Sequence, residues 1–369
     1  MERYESLAVE KQIVIMGSRI SNLDNKQLSV LVAKEINWEK VIEYAMRNKV
    51  LYLLFENLKH CNLEQYIPKH LKKLVQAAKK GNVVSNNVKL LEVEHVSKVM
   101  ESRGIRIVPV KGAYLIDNIY GDRSIRTSND VDALISRKDI SQIDKIMKEL
   151  GYTTDKYDEK TNQLIPRSAS QKMLYKTKMY NLLPYRKSIE DTVEEIIIFD
   201  YSHSLDFGLD TKPVEEMIAN SFYMGNSWCL LAEHFFVHMC CHHYREASHT
   251  EWIRLGKDLN LIKFCDVREF ALQKMNQESM EKAINFAKKY NLNKALYFTL
   301  YFLREIYGDG YETELLEKLE VEDPSFVFEF GENEYEHIQI RKKSFWNSFF
   351  DENNMEELNG NTKYDSLLK

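Results

Sequence analysis

Glycine and proline are scarce in this chain: of 369 residues, 13 are Gly and 6 are Pro. Collagen-like and low-complexity architectures need far more of both, so long helices become the expectation. Cysteine is rare too, with five residues (Cys61, Cys229, Cys240, Cys241, Cys265), an odd number, and no C-x-x-C pair. That usage fits neither a disulfide framework nor a thiol redox motif, and a reducing cytoplasm is the expected location. No stretch approaches the roughly 18 continuous apolar residues of a membrane-spanning helix, so none is expected. The opening residues carry charges at Glu2, Arg3, Glu5, Glu10 and Lys11, with no apolar run of the kind that marks a secretory leader. A positive excess is missing as well. The net charge of −5 argues against a protein that coats long nucleic acid. What remains is an ordinary globular composition, 44% apolar and 29% charged. By length it suits two or three domains, or one large one, with a sizeable core.

Apolar spacing predicts helices through residues 8–105, with Asn37 as an N-cap and a long helix over 68–102 interrupted at Gly81. The texture changes at Gly104. A β-branched run, 105–110, reads as a strand, followed by Lys111-Gly112 and a helical segment over 113–120. A second strand is expected over 128–135, a helix over 136–150, a mixed, β-leaning region over 151–185, and a third strand over 195–201. Helices return over 214–307, with one spanning 228–244. Between 309 and 337, eleven Asp/Glu stand against the single Lys318, and the Asn- and Glu-rich residues after 350 are expected to fray. The pattern is helices, a small α/β core, then helices.

The chemistry concentrates in one block. Asp130 and Asp132 are two apart on an expected strand, where alternate side chains share a face. Two carboxylates side by side repel unless a cation bridges them, and hard oxygen ligands suit Mg²⁺. Asp200, in the third strand, joins them if the strands are neighbours. Three carboxylates holding two Mg²⁺ around a nucleoside triphosphate suit in-line displacement at the α-phosphorus. The strand–Lys111-Gly112–helix turn offers backbone N–H groups and a lysine charge to phosphates, and Arg123 and Arg126 add candidate clamps. A lone D-x-D also fits a solvated acidic turn. The ordered set is far more specific.

That set resembles the nucleotidyltransferase superfamily of DNA polymerase beta, the kanamycin-type aminoglycoside nucleotidyltransferases and the tRNA CCA-adding enzymes. More closely, it resembles the bacterial uncharacterised nucleotidyltransferase-like family, whose Lys-Gly turn, Tyr before a short turn, Arg, and Asp-Ile-Asp-Leu-Leu-like strand correspond to Lys111-Gly112, Tyr120-Gly121-Asp122, Arg126 and Asp130-Val131-Asp132-Ala133-Leu134. The upstream helix from Asn37-Trp38 and a downstream His-bearing helix also match, over roughly residues 28–305. Two departures stand out. The superfamily's Gly-Ser or Gly-Gly turn is Lys-Gly here, and the later strand's Asp-Leu-His-Trp-like motif reads Asp200-Tyr201-Ser202-His203.

The resemblance implies an α+β, mostly helical fold. A small nucleotidyltransferase-type mixed-sheet core, 104–210, would lie between an N-terminal helical domain, 1–103, and a C-terminal helical domain with an acidic tail, 211–369. It implies a transferase of the EC 2.7.7 type. Such an enzyme would move a nucleoside monophosphate from an NTP such as ATP to an unidentified acceptor hydroxyl on a small molecule, peptide or protein. Asp130, Asp132 and Asp200 would be the catalytic, metal-holding residues. Lys111, Gly112, Arg123, Arg126 and Ser128 would hold the nucleotide. The alternative is a non-catalytic nucleotide-binding or scaffolding module on the same fold.

Two further features carry competing readings. His234, His238 and His242 recur every fourth residue, a spacing open to Zn²⁺, a metal hydrolase or a hydrogen-bonded packing stripe. No H-E-x-x-H or His-Asp partner accompanies them. Between 156 and 187, eight Lys/Arg face two Asp/Glu, interleaved with Tyr157, Tyr175, Tyr180 and Tyr185. That stretch reads as a solvated hairpin or as an acceptor-handling surface.

Overall fold

The computed structural model describes residues 4–158, 160–161, 163–189, 196–205, 209–331 and 338–350. The frayed end expected after 350 and the last part of the acidic run lie outside these. The fold is α+β and mostly helical, as expected, with a small mixed sheet. Contacts group the chain into two compact units: Gly81–Arg123 with Thr127–Phe235, and Met1–Lys80 with Ser124–Arg126 and Phe236–Lys369.

The first of these units holds the sheet. Its strands are β1 (Ile107–Val110), β2 (Val131–Ile135), β3 (Lys156–Asp158), β4 (Gln163–Ile165), β5 (Tyr185–Ser188), β6 (Ile196–Ser202), β7 (Phe222–Met224) and β8 (Ser227–Cys229). Four of them form one sheet in the order β1-β2-β6-β5, with β2 and β6 parallel and both outer pairs antiparallel. Strand alternation sorts the residues. Val131, Ala133, Ile135, Ile197, Phe199 and Tyr201 share one face and pack with Val93, Val96 and Met100 and with Ile143, Ile146 and Met147. The other face receives the even-numbered residues, Asp132 and Asp200 among them.

Several local expectations are corrected. The helix Lys69–Ser102 runs unbroken through Gly81. One glycine costs a helix only about 1 kcal/mol relative to Ala, and buried apolar side chains on both sides of it outweigh that. β2 starts at Val131, so Asp130 sits in the bend before the strand rather than on it. The β-leaning region contains a helix, Ala169–Lys178, begun by a Ser168/Gln171 capping box. Trp228 is not helical: it lies in the β7–β8 hairpin, whose turn needs the left-handed Gly225, and the helix begins at Ala232.

The other unit is mostly helical, with one short two-stranded sheet, Glu329–Phe330 with Gln339–Ile340. Asn37 caps Trp38–Arg47 as expected, its side-chain oxygen accepting from the N–H of Glu39 and of Lys40, each at 3.1 Å. Trp38, Val41, Ile42 and Ala45 form that helix's buried stripe. Arg268 is fully buried but satisfied, donating to Asp309 at 2.6 and 2.8 Å and to Glu269 at 2.5 Å.

Phe199 is fully buried, edge-on to Tyr152 at 5.5 Å and stacked with Tyr201 at 5.8 Å. Phe199→Ala is expected to cost about 3–5 kcal/mol of stability, read by urea unfolding, because the cavity lies in a sheet that cannot collapse around it. A loss below about 1 kcal/mol would show that the sheet face relaxes freely.

Candidate active site

β1 ends at Val110, and the chain then turns sharply. Lys111 takes φ 50° and ψ −125°, a combination outside the usual left-handed well of an L-residue. Such a conformation costs on the order of 1–3 kcal/mol and persists only where its surroundings enforce it. The buried Gly112 opens the short helix Gly112–Leu115, and a π-turn, Ile116–Tyr120, closes on the left-handed Gly121. The turn aims the Lys111 side chain at β2, where its ammonium donates to Asp132 Oδ1 at 2.6 Å.

Asp132 pairs in register with Val110 on β1 and with Asp200 on β6. Register partners on parallel strands share a face, and neighbouring strands are about 4.8 Å apart. The two carboxylates are therefore abreast. Burial above all pushes the Asp132 carboxyl up to about 7; Lys111 opposes this, while the charges of Asp130 and Asp200 add to it. The structure thus brings Asp130, Asp132, Asp200 and Lys111 into one electrostatic neighbourhood. Ser128 shapes the loop that carries Asp130: its hydroxyl donates to the Asp130 carbonyl at 2.9 Å, and its own carbonyl accepts from the buried Lys89 at 2.7 Å. Asp200 accepts from the Asn181 side-chain amide at 3.0 and 3.3 Å.

The two arginines read as phosphate clamps are committed elsewhere. Arg126 forks onto Asp266 at 2.9 and 2.6 Å, both side chains being nearly buried. Arg123 forks onto Asp117 at 2.8 and 2.7 Å and donates to Asn87 at 2.8 Å, tying the π-turn to the long helix. A bidentate guanidinium–carboxylate pair leaves little of the fork for a phosphate. Of the three candidate cations, Lys111 is the one that faces the carboxylates.

The donor chemistry fits a hard divalent cation. Two anionic oxygen groups stand abreast, with a third in their field and the Lys111 ammonium as a stand-in cation on Asp132. Among the described residues, no three His, Cys, Asp or Glu side chains form a ready-made metal cage. The histidine stripe is engaged in other ways. His242 contacts Glu246 at 3.1 Å and Arg245 at 2.9 Å, and its ring stacks on that of His238. His243 is wedged edge-on against Phe264 and Phe298, and burial drives its pKa well down. His203 is also buried, and burial first, then Arg137, lowers its pKa.

Residues 34–308 match the family described as uncharacterised nucleotidyltransferases. The chain belongs to that family. No curated protein and no solved structure matches it. Family membership makes the chain a nucleotidyltransferase in general terms and a nucleotide its expected substrate. Among the described residues, no helix is long and apolar enough to cross a membrane.

Sequence reasoning did not single out Lys89, Asn181 or Arg186. Lys89 is one of seven lysines in its helix, and no local pattern set it apart as the buried one that needs carbonyl or hydroxyl partners.

Asp132 offers a test by pH. Unfolded, it titrates near about 3.9; folded, its pKa is pushed up to about 7. Between those values the folded chain holds the extra proton, so its stability falls as pH rises. The contribution is present below pH about 4 and is lost through about 7. In chelator, the urea stability of wild type should fall relative to Asp132→Asn between about pH 5 and 7.5, by on the order of 1–2 kcal/mol after solvent screening. Parallel profiles would mean that Asp132 is charged throughout.

Proposed function

We propose that this chain transfers a nucleoside monophosphate from an NTP to an acceptor hydroxyl, releasing pyrophosphate, with Mg²⁺ as cofactor. The single observation that carries this reading is the register pairing of Asp132 with Asp200 on adjacent parallel strands, with Lys111 turned in against Asp132. Carboxylates brought abreast at a sheet end cost free energy, and a strained lysine turn built over them has no evident packing role.

Asp132 and Asp130 would hold the metal with the triphosphate, and Asp200 would share it. When bound, the metal supplies charge neutralisation at the α-phosphate and the leaving pyrophosphate. With that metal bound, Asp132 would release Lys111, whose ammonium would then be free to meet phosphate oxygens. Asp200, oriented by Asn181, takes the proton of the acceptor hydroxyl. The acceptor oxygen then forms its bond to the α-phosphorus as the bond to the β-phosphate oxygen breaks. Arg123 serves by bracing the π-turn through Asp117, and Arg126 is a structural partner of Asp266. The chain's five free cysteines, four of them buried, suit a reducing cytoplasm.

Incubation with each labelled NTP and a panel of hydroxyl acceptors, followed by mass spectrometry, should show a metal-dependent mass shift. Asp130→Asn and Asp132→Asn should lower turnover by about 10²-fold or more while the protein stays folded. Asp200→Asn should reduce turnover more than Mg–NTP affinity, and Lys111→Ala should weaken NTP binding by about 10- to 100-fold. If Asp130→Asn unfolds the protein, the carboxylates are structural. If Asp130→Asn and Asp132→Asn fold and bind Mg–NTP as wild type does, the transferase reading fails at its centre, and a non-catalytic module takes its place.

A further inference from the structure

The sheet order β1-β2-β6-β5 puts β5 on the far side of Asp200 from Lys111. On β5, Tyr185 pairs with Phe199 and faces the apolar core, so the next residue, Arg186, faces the other way. Arg186 pairs with Ile198, which lies two residues before Asp200 on the same strand face. Arg186 therefore shares the carboxylate face and is a diagonal neighbour of Asp200.

A second arginine converges on it. Arg186 Nη1 donates to the carbonyls of Asp155 and Pro184, each at 3.1 Å, and Arg167 Nε donates to the carbonyl of the preceding residue, Thr154, also at 3.1 Å. Thr153 pairs with Arg186 through the backbone. Two guanidinium groups are thus hooked to consecutive carbonyls of one segment, both half-buried. Among the described residues, neither forms an ion pair with a carboxylate. Each keeps unused N–H donors. Tyr175 lies beside them, its ring 6.0 Å from the Arg167 guanidinium. Burial raises the Tyr175 hydroxyl above its usual range, with Arg167 and Asp200 both in electrostatic reach; burial and then Arg167 lower Arg186. Two like charges converge here, and the Asp200 charge that reaches Arg186 forms no ion pair with it among the described residues, so their remaining donors make a site for an oxyanion.

The site is not placed for the nucleotide's own phosphates if Lys111 holds them. From β1 to β5 is three strand spacings, roughly 14 Å. Next to Asp200, the buried Asn181 leaves its side-chain oxygen without a hydrogen-bond partner. That oxygen stands ready to accept from a hydroxyl presented to Asp200.

We propose that Arg167 and Arg186, with Tyr175, form a phosphate-binding subsite for the acceptor, so the acceptor is a molecule that carries a phosphate group as well as the hydroxyl to be modified. This rests on the transfer site read above, with Asp200 on the acceptor side. The step itself is unchanged: the subsite binds and orients, and no bond to its phosphate forms or breaks.

The test titrates inorganic phosphate into the full chain without divalent cation, by calorimetry, and separately measures Mg–NTP affinity for whichever NTP binds. Wild type should bind phosphate in the millimolar range. Arg167→Gln and Arg186→Gln should each weaken this at least tenfold, Arg186→Lys should recover part of it, and Mg–NTP affinity should change less than twofold. Asp132→Asn should leave phosphate binding intact, so loss of the metal–nucleotide reading and loss of the subsite are separable. If Arg186→Gln misfolds, Arg167→Gln carries the test. The proposal is overturned if wild type does not bind phosphate or if neither Gln variant weakens its binding. It is overturned equally if Mg–NTP affinity falls in step, since the arginines would then belong to the nucleotide.

Discussion

Two carboxylates abreast on parallel strands are expensive unless something positive answers them. In this protein the answer at rest is Lys111, 2.6 Å from Asp132. The sheet makes this arrangement compulsory. The β2–β6 register that buries Phe199 and Tyr201 on one face delivers Asp132 and Asp200 together on the other. Shifting either strand by one residue would bury the acids and expose the aromatics. The apolar packing beneath the sheet is therefore what holds the charged face in place.

The neighbouring polar groups are arranged around that cost. The turn at Lys111 accepts strain to aim an ammonium inward. Asn181 gives Asp200 an amide donor at 3.0 Å, which orients the carboxylate. Ser128 and the buried Lys89 fasten the loop carrying Asp130 through backbone carbonyls, leaving its carboxylate out of the fastening. Groups that hold the acids through the backbone fix their positions without neutralising them.

The arginines divide by the same logic. Arg123 and Arg126 meet carboxylates in forks and act as struts. Among the described residues, Arg167 and Arg186 hydrogen-bond to carbonyls and form no ion pair, so their charge is positioned without a carboxylate fork. A guanidinium bound to dipoles keeps most of its attraction for an anion.

The acids, the Lys-Gly turn, the three core strands and the family were legible in the residues themselves. β-branched runs declare strands, a Lys-Gly step between strand and helix declares a turn, and Asn37 declared its cap, because each rests on interactions within a few residues. The helix Ala169–Lys178 was hidden by its few apolar residues among polar ones, and the β7–β8 hairpin by its apolar aromatics, which suit a helix equally well. The partners of the arginines could not be read at all. Arg126 finds Asp266, 140 residues away, and no local pattern carries that pairing. Strand order belongs to the same class. The sequence placed three strands along the chain, but only their folding together put β6 between β2 and β5, which set Asp200 beside Asp132 and Arg186 on the same face. Residue type determined which groups carry charge, and long-range packing, which depends on the whole chain at once, decided which of those charges meet.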